Sequence, residues 1–393
     1  MIYERNIVRI IEERINEPRR FIQILIGPRQ TGKTTAVTRA LARFALPHVY
    51  EEATKGESNA DWLRAQWIRA RNLLASHTSG SALLVIDEVQ YVPGWSAVVK
   101  TLWDEDARAG IDLRVLLTGS SATLIQEGMD ESLEGRFELI HSTHWSFSEC
   151  REAFGYSLDE YLLFGGYPGA AALRDDIGRW ARYVNTSIIN PTIANDVLLL
   201  ADVRKPELMR RLFEIGATYS GQEISYRKLL GQLDDKGNTA TIAHYLQLLS
   251  SAGMMSGLEK YDSKLLRQKA SSPRLLVHNT ALMTASYGRR RAKLLSEPDL
   301  RGHLVESAVG AYLINRSVAE GFSVNWWREG RDEVDFVISS GDGITAIEVK
   351  SGRVKPTTGM TRFILENPEA RPLIVGSPSC AVEDFLLGEV ELF

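Results

Sequence analysis

Apolar residues in this chain follow two rhythms. The first 140 residues carry short unbroken runs: Phe21-Ile22-Gln23-Ile24-Leu25-Ile26, Ser81-Ala82-Leu83-Leu84-Val85-Ile86, Leu113-Arg114-Val115-Leu116-Leu117 and Phe137-Glu138-Leu139-Ile140. Runs of this length, rich in branched side chains and too short for a membrane helix, predict buried strands of a parallel sheet. Beyond Pro206 the spacing becomes helical. Leu208, Leu212, Phe213 and Ile215 predict one helix, residues 224–230 a shorter second, and Ile242, Tyr245, Leu246, Leu248 and Leu249 a third behind the cap Asn238-Thr239-Ala240-Thr241. Gly253 ends it and Met254-Met255 opens an extended pair, so three short helices precede a hairpin, the order of a winged helix. Asn190-Pro191-Thr192 and Arg204-Lys205-Pro206 are expected boundaries, because proline lacks the donor that a helix interior needs. Further on, residues 300–314 predict a helix with Val309, Leu313 and Ile314 inward. Residues 326–328, 333–338 and 344–350 predict strands, the last two joined at Gly341-Asp342-Gly343.

The first run ends in Gly27, Pro28, Arg29, Gln30, Thr31, Gly32, Lys33, Thr34 and Thr35, a phosphate-loop signature in its expected place between strand and helix. Gly27 and Gly32 let the backbone close around an anion, and the helix starting near Lys33 adds the positive end of its dipole. Lys33 would reach the outer phosphates of ATP and Thr34 would bind Mg2+. The second run ends in Asp87-Glu88. An acidic pair at a strand's carboxyl end lies beside the phosphate loop in a wound α/β sheet, with Asp87 holding magnesium through its water and Glu88 polarising the attacking water.

With 393 residues, 44% hydrophobic and 24% charged, the chain has room for about two or three domains. No window is long and apolar enough to span a bilayer, and Met1-Ile2-Tyr3-Glu4-Arg5 lacks a signal-peptide core, so a cytoplasmic protein is expected. Cys150 and Cys380 have no metal-ligand spacing. The net charge of -4 does not advertise nucleic-acid binding, and the cluster Arg289-Arg290-Arg291 with Lys293 reads as a solvated turn.

The third run leads into Thr118-Gly119-Ser120-Ser121, and Gly135-Arg136 precedes the fourth. Together with residues 27–35, Leu84 to Gln90, Ser146-Phe147-Ser148-Glu149 and Gly165-Gly166-Tyr167-Pro168, these motifs resemble the prokaryotic AAA-type ATPases that join a small P-loop domain to a C-terminal domain long catalogued as of unknown function. The resemblance implies that the third strand lies between the two motif strands and that Ser120 acts as a sensor. It further implies that Arg136 is offered as an arginine finger to a neighbouring subunit, hence a homo-oligomer, and that Pro168 belongs to a helical lid backing onto adenine. Arg174 and Arg182 are near enough to be lid sensors.

A second constellation lies near the end. One acid, Asp335, followed by an acid and a lysine two residues apart, Glu348 and Lys350, is the layout of restriction-endonuclease-like nucleases. Alternation puts Glu348 and Lys350 on one strand face. The resemblance makes Asp335 and Glu348 magnesium ligands, Lys350 the residue that positions water, and Glu306 the additional helical acid of the Holliday-junction-resolvase branch. Val334 stands where the family motif has proline.

The expected architecture is α/β: an AAA+-like parallel-sheet core over residues 1–150, a helical lid over 151–204, a winged helix over 205–270 and a restriction-endonuclease-like domain over 271–393. If the winged helix reads DNA, Thr239, Thr241, His244 and Gln247 face the major groove with Lys236 near a phosphate; the other reading is a spacer or protein contact. Two functions are open at this point. One is an ATPase that processes branched or single-stranded DNA and perhaps cuts it. The other is a nucleotide-gated switch whose C-terminal domains bind a protein partner.

Overall fold

The computed structural model describes residues 3–119, 133–198, 203, 205–233, 238–262, 272–352 and 358–393, without the side chains of residues 195, 196, 289, 290 and 292. The chain divides into two compact units, Met1–Ser142 and Thr143–Phe393.

In the first unit, β1 (Ile22–Ile26), β2 (His48–Glu52), β3 (Ala82–Asp87), β4 (Leu113–Gly119) and β5 (Phe137–His141) form one parallel sheet in the order β2-β3-β4-β1-β5. The strand between the two motif strands is β4, as the family resemblance implies. Every residue of β1 and β3 is buried, because helices cover both faces. Alternation divides the strand residues between two cores. Ile24, Leu84, Ile86 and Leu117 pack against Trp67 of the helix Ala60–Ser76 and Leu102 of Trp95–Ala109. Leu25, Leu83, Val85 and Leu116 pack against Ile11 of Asn6–Asn16 and Val37 of Lys33–Leu41. Burial on both faces is why these segments read as unbroken apolar runs.

The second unit begins with helices and holds two sheets. β6 (Gln222–Glu223), β7 (Met255–Leu258) and β8 (Arg274–Val277) form an antiparallel sheet in the order β6-β8-β7, accompanied by the helices Pro206–Thr218, Tyr226–Gln232 and Thr239–Ser251. Because β8 is its central strand, a boundary at residue 270 would cut through this sheet. Next, β9 (Ser323–Glu329), β10 (Asp332–Ser340) and β11 (Gly343–Val349) form an antiparallel meander, and β12 (Arg371–Val375) adds parallel to β11. The helix Pro298–Glu320 lies against β8 and β10 through one continuous apolar core.

Two sequence expectations need correction. Asn190-Pro191-Thr192 does not break the chain into domains: helical structure continues from Ile177 through Val197, with π-helical turns at Val184–Ile189 and Thr192–Val197. Wider turns, in which the Asn190 N–H donates to the Asn185 carbonyl, accommodate the donor that Pro191 lacks. Arg291 is not a solvated residue either. It is 3% exposed, lies 4.9 Å from the Trp180 ring centroid, and donates to the carbonyls of Thr284 and Ala285 at 2.9 Å.

Gly310 permits the close approach of the long helix. A Cβ there would meet Leu276 Cδ2 at 2.5 Å and the Phe336 ring at 2.7 Å. Gly310→Ala should therefore destabilise the second unit by about 1–3 kcal/mol, the usual cost of overpacking a filled core, measured as a lower urea midpoint at unchanged slope.

Candidate functional site

The turn after β1 is shaped by its own backbone. A Cβ at Gly27 would lie 1.9 Å from the Ser142 carbonyl oxygen, whose residue is held close by its N–H donating to Ile26 at 2.7 Å. Gln30 and Gly32 take left-handed conformations, φ 62 and 89. Thr31 Oγ1 donates to the Pro28 carbonyl at 2.9 Å, and buried Arg5 donates to the Thr31 carbonyl at 3.2 Å. The turn delivers Lys33 as the first residue of a nine-residue helix. Its ammonium donates to the carbonyls of Gly27 and Pro28 at 2.8 and 2.9 Å, inside the loop. Thr34 and Thr35 are exposed, and Arg29 donates to the Tyr91 hydroxyl at 3.0 Å.

Asp87, 1% exposed at the end of β3, gathers the surrounding elements. Its Oδ2 accepts from Thr34 Oγ1 and from the Tyr50 hydroxyl, each at 2.8 Å. Its Oδ1 accepts from Thr118 Oγ1 and from the Glu88 N–H at 3.0 Å. Burial and the Asp87 hydrogen bond hold the Tyr50 phenol well above its usual pKa, so it remains a donor. Glu88 is left-handed, φ 53, and its carboxylate accepts from Gln90. Loop and acidic strand end are thus in direct contact through the Thr34 hydroxyl and the Asp87 carboxyl group. Tyr50 and Thr118 were not foreseen as partners of Asp87, since the half-buried β2 gives no motif and the hydroxyl of Thr118 resembles any strand threonine. Ser120 lies outside the described residues, as does Lys236.

Arg136 introduces β5, its carbonyl accepting from Ile22 N–H at 2.8 Å. Its guanidinium forks onto Asp104 at 2.9 and 3.2 Å within the same unit. Pro168 is in the second unit, at the first position of the short helix Pro168–Ala171. The preceding glycines serve packing: a Cβ at Gly165 would lie 2.0 Å from Asn279 Oδ1, and one at Gly166 would lie 2.1 Å from the Trp145 carbonyl oxygen. Arg174 donates to the Phe154 carbonyl at 2.7 Å and Arg182 is exposed.

The C-terminal constellation does come together, with an unforeseen member. A bulge in β10 between Val334 and Val337 interrupts alternation and turns Asp335 out of the regular pattern. Asp335 Oδ2 accepts from Val349 N–H at 2.8 Å, and Lys350 Nζ pairs with Glu348 Oε1 at 2.6 Å. Arg274 of β8 enters among the acids, 3.1 Å from Glu306 Oε1 and 3.4 Å from Asp335 Oδ1, with Glu333 at 3.7 Å. Burial and the charge of Asp335 push the Glu306 carboxyl up, opposed by Arg274. Burial and Asp335 push Glu348 up to about 7, opposed by Lys350. Among the described residues, no three acidic, histidine or cysteine side chains are grouped to hold a metal. Four oxygens of the expected ligand set Glu306, Asp335 and Glu348 already face Arg274, Lys350 or the Val349 N–H, so the set as arranged does not fit a bound divalent ion.

Comparison with known proteins divides the chain into three matched regions. Residues 19–151 match the family model of an AAA domain, while residues 155–293 and 301–378 match two families described as domains of unknown function, DUF8612 and DUF4143. An uncharacterised protein of Haemophilus influenzae is 21% identical over 352 residues, 84% of this chain and 82% of its own. A Walker-type ATPase of Pyrococcus abyssi superposes with a TM-score of 0.49 at 14% identity, covering 72% of this chain and 95% of that one. The ORC1 protein of Aeropyrum pernix, solved in complex with DNA, gives 0.32 at 12% identity, covering 75% and 95%. At those scores neither likeness extends to shared chemistry.

Two outcomes are expected. Gly27→Ala forces the loop off the Ser142 carbonyl, a conflict worth about 1–3 kcal/mol, so affinity for a fluorescent ATP analogue should fall roughly tenfold or more. For Glu348, the folded pKa of about 7 exceeds the ordinary 4.5, so its stabilising contribution is complete below 4.5 and is lost as pH rises through 7. Urea denaturation at about pH 5 and about pH 8 should therefore show a smaller loss in Glu348→Gln than in the wild type. The phosphate loop and the acidic strand end both lie within residues 19–151, which match the AAA-domain model, and the residues after them match two families described as domains of unknown function.

Proposed function

We propose that this protein is an oligomeric, Mg2+-dependent ATPase that processes DNA. The observation that carries the catalytic half is the 2.8 Å contact of Thr34 Oγ1 with Asp87 Oδ2, which joins the phosphate loop to the acidic strand end. Thr34 and Asp87 would hold the ion, directly and through water, and the ion would neutralise charge on the outer phosphates. Lys33 would exchange its loop carbonyls for phosphate oxygens. Glu88, displaced from the strand direction by its left-handed backbone, would orient and polarise the attacking water. Ser120 is the proposed sensor. Arg136 is the proposed finger for a neighbouring copy, a role that requires opening its fork with Asp104. Pro168 is proposed to line the adenine side.

The DNA half is supported by the second unit. Three helices beside the β6-β8-β7 sheet have the composition of a winged helix, and its third helix, Thr239–Ser251, carries exposed His244 and Gln247 with half-buried Thr239 and Thr241. Arg227 and Lys228 of the preceding helix are also exposed. Polar side chains along a helix with cations beside it suit groove contact with phosphate anchoring. The strand order β12-β11-β10-β9, with Asp335 on β10 and Glu348 on β11, supports a restriction-endonuclease-like fold for the last domain.

Lys33→Ala should abolish ATP hydrolysis, and Glu88→Gln should retain nucleotide while slowing turnover about 10²–10⁴-fold. Steady-state hydrolysis with single-stranded, duplex, forked and four-way DNA tests the substrate. Stimulation by at least one form, absent in Lys33→Ala, is expected. A rate indifferent to every form would sink the DNA reading and favour the nucleotide-gated switch with a protein partner.

A further inference from the structure

The guanidinium of Arg274 occupies the middle of the acidic cluster in the last domain. Its Nη1 lies 3.1 Å from Glu306 Oε1, 3.4 Å from Asp335 Oδ1 and 3.0 Å from the Asp335 carbonyl oxygen. These are two of the three carboxylates from which the nuclease layout would build a metal site. Oxygen ligands converge on Mg2+ at about 2.0–2.1 Å. Here they converge on a nitrogen instead. The remaining Asp335 oxygen accepts from Val349 N–H at 2.8 Å, and one oxygen of Glu348 is held by Lys350 at 2.6 Å. Within the cluster, Glu348 Oε2 is buried with no hydrogen-bond partner. Four of the six carboxylate oxygens are engaged by Arg274, Lys350 or the Val349 N–H, so a divalent ion would have to displace those partners to gather ligands from all three acids.

Arg274 is also fixed in place. Its side chain is 5% exposed, its backbone pairs with Glu223 of β6 and Leu258 of β7, and its guanidinium lies 5.5 Å from the Trp326 ring centroid. A guanidinium stays charged at every physiological pH. A divalent ion approaching Glu306 and Asp335 would meet a permanent positive charge in a poorly screened interior. Withdrawal of the guanidinium would break its contacts with Glu306 and with both the carboxyl and the carbonyl of Asp335.

We infer that Arg274 is a built-in counter-cation that closes the Glu306, Asp335 and Glu348 cluster to divalent metal, so that this domain engages its ligand without metal-dependent phosphodiester cleavage. The inference refines the nuclease-like reading of the domain and holds whether or not the ATPase acts on DNA. The acids and lysine of the nuclease layout are present, and the cation among them comes from the chain itself.

Mn2+ binding to nucleotide-free full-length protein tests this by electron paramagnetic resonance and by melting temperature. The wild type is expected to hold no Mn2+ that depends on Glu306. Arg274→Met, which removes the charge and keeps the length, should melt earlier than the wild type, and added Mn2+ should raise its melting temperature by several degrees. The rise should vanish in Arg274→Met with Glu306→Gln, whereas Arg274→Lys should remain blind to Mn2+. Mn2+ bound by the wild type and released by Glu306→Gln would overturn the inference, as would Arg274→Met that folds and gains no response. If Arg274→Met does not fold, the resonance measurement on wild type and Glu306→Gln decides alone.

Discussion

One buried carboxylate coordinates the nucleotide domain. Asp87 joins β3 to the loop helix through Thr34, to β2 through Tyr50 and to β4 through Thr118. A polar side chain so deeply buried is tolerated only with its hydrogen-bonding capacity filled. Four donors, the Glu88 N–H among them, do this. Each donor comes from a different element, so the position of the acid depends on the whole sheet order. Placement of the phosphate loop, the acidic strand end and β4 side by side is then a single structural fact.

The second unit is organised by charge as well as by apolar packing. Arg274 links the small sheet to the larger one through Glu306, Asp335 and Glu333, and Arg328 extends the network from Glu333 to Glu223. Removing one partner from such a buried set leaves a charge uncompensated, which costs far more than the net value of the pair. The network and the continuous core around the helix Pro298–Glu320 explain why residues expected as separate lid, winged-helix and nuclease-like domains form one compact unit. Function classes that looked separable along the chain share one interior.

The parallel strands and the turn after β1 were largely legible. Unbroken apolar runs marked the strands because both faces of a wound sheet are buried, and glycine, lysine and acid marked the turns because phosphate binding needs those residue types at strand ends. The resemblance to AAA-type ATPases supplied the place of β4 between β1 and β3. Order along the chain does not show the contacts of Arg136, which forks onto Asp104, or of the glycines before Pro168, which pack against Asn279 and Trp145. Proline at 191 misled because a lost donor normally ends an α-helix, and π-helical turns offered another arrangement.

The sequence by itself determined which residues could bind phosphate and which strands would be buried, since both follow from local pattern: period, turn chemistry and residue type. Only the tertiary structure decided what surrounds each acid. Tyr50 and Thr118 reach Asp87 from strands 37 and 31 residues away, and Arg274 reaches Asp335 across 61 residues. A β-bulge sets where Asp335 points, and pairing between sheets sets which cation it meets. Neither leaves a mark in sequence spacing, because side-chain proximity across a fold is fixed by packing and not by order along the chain.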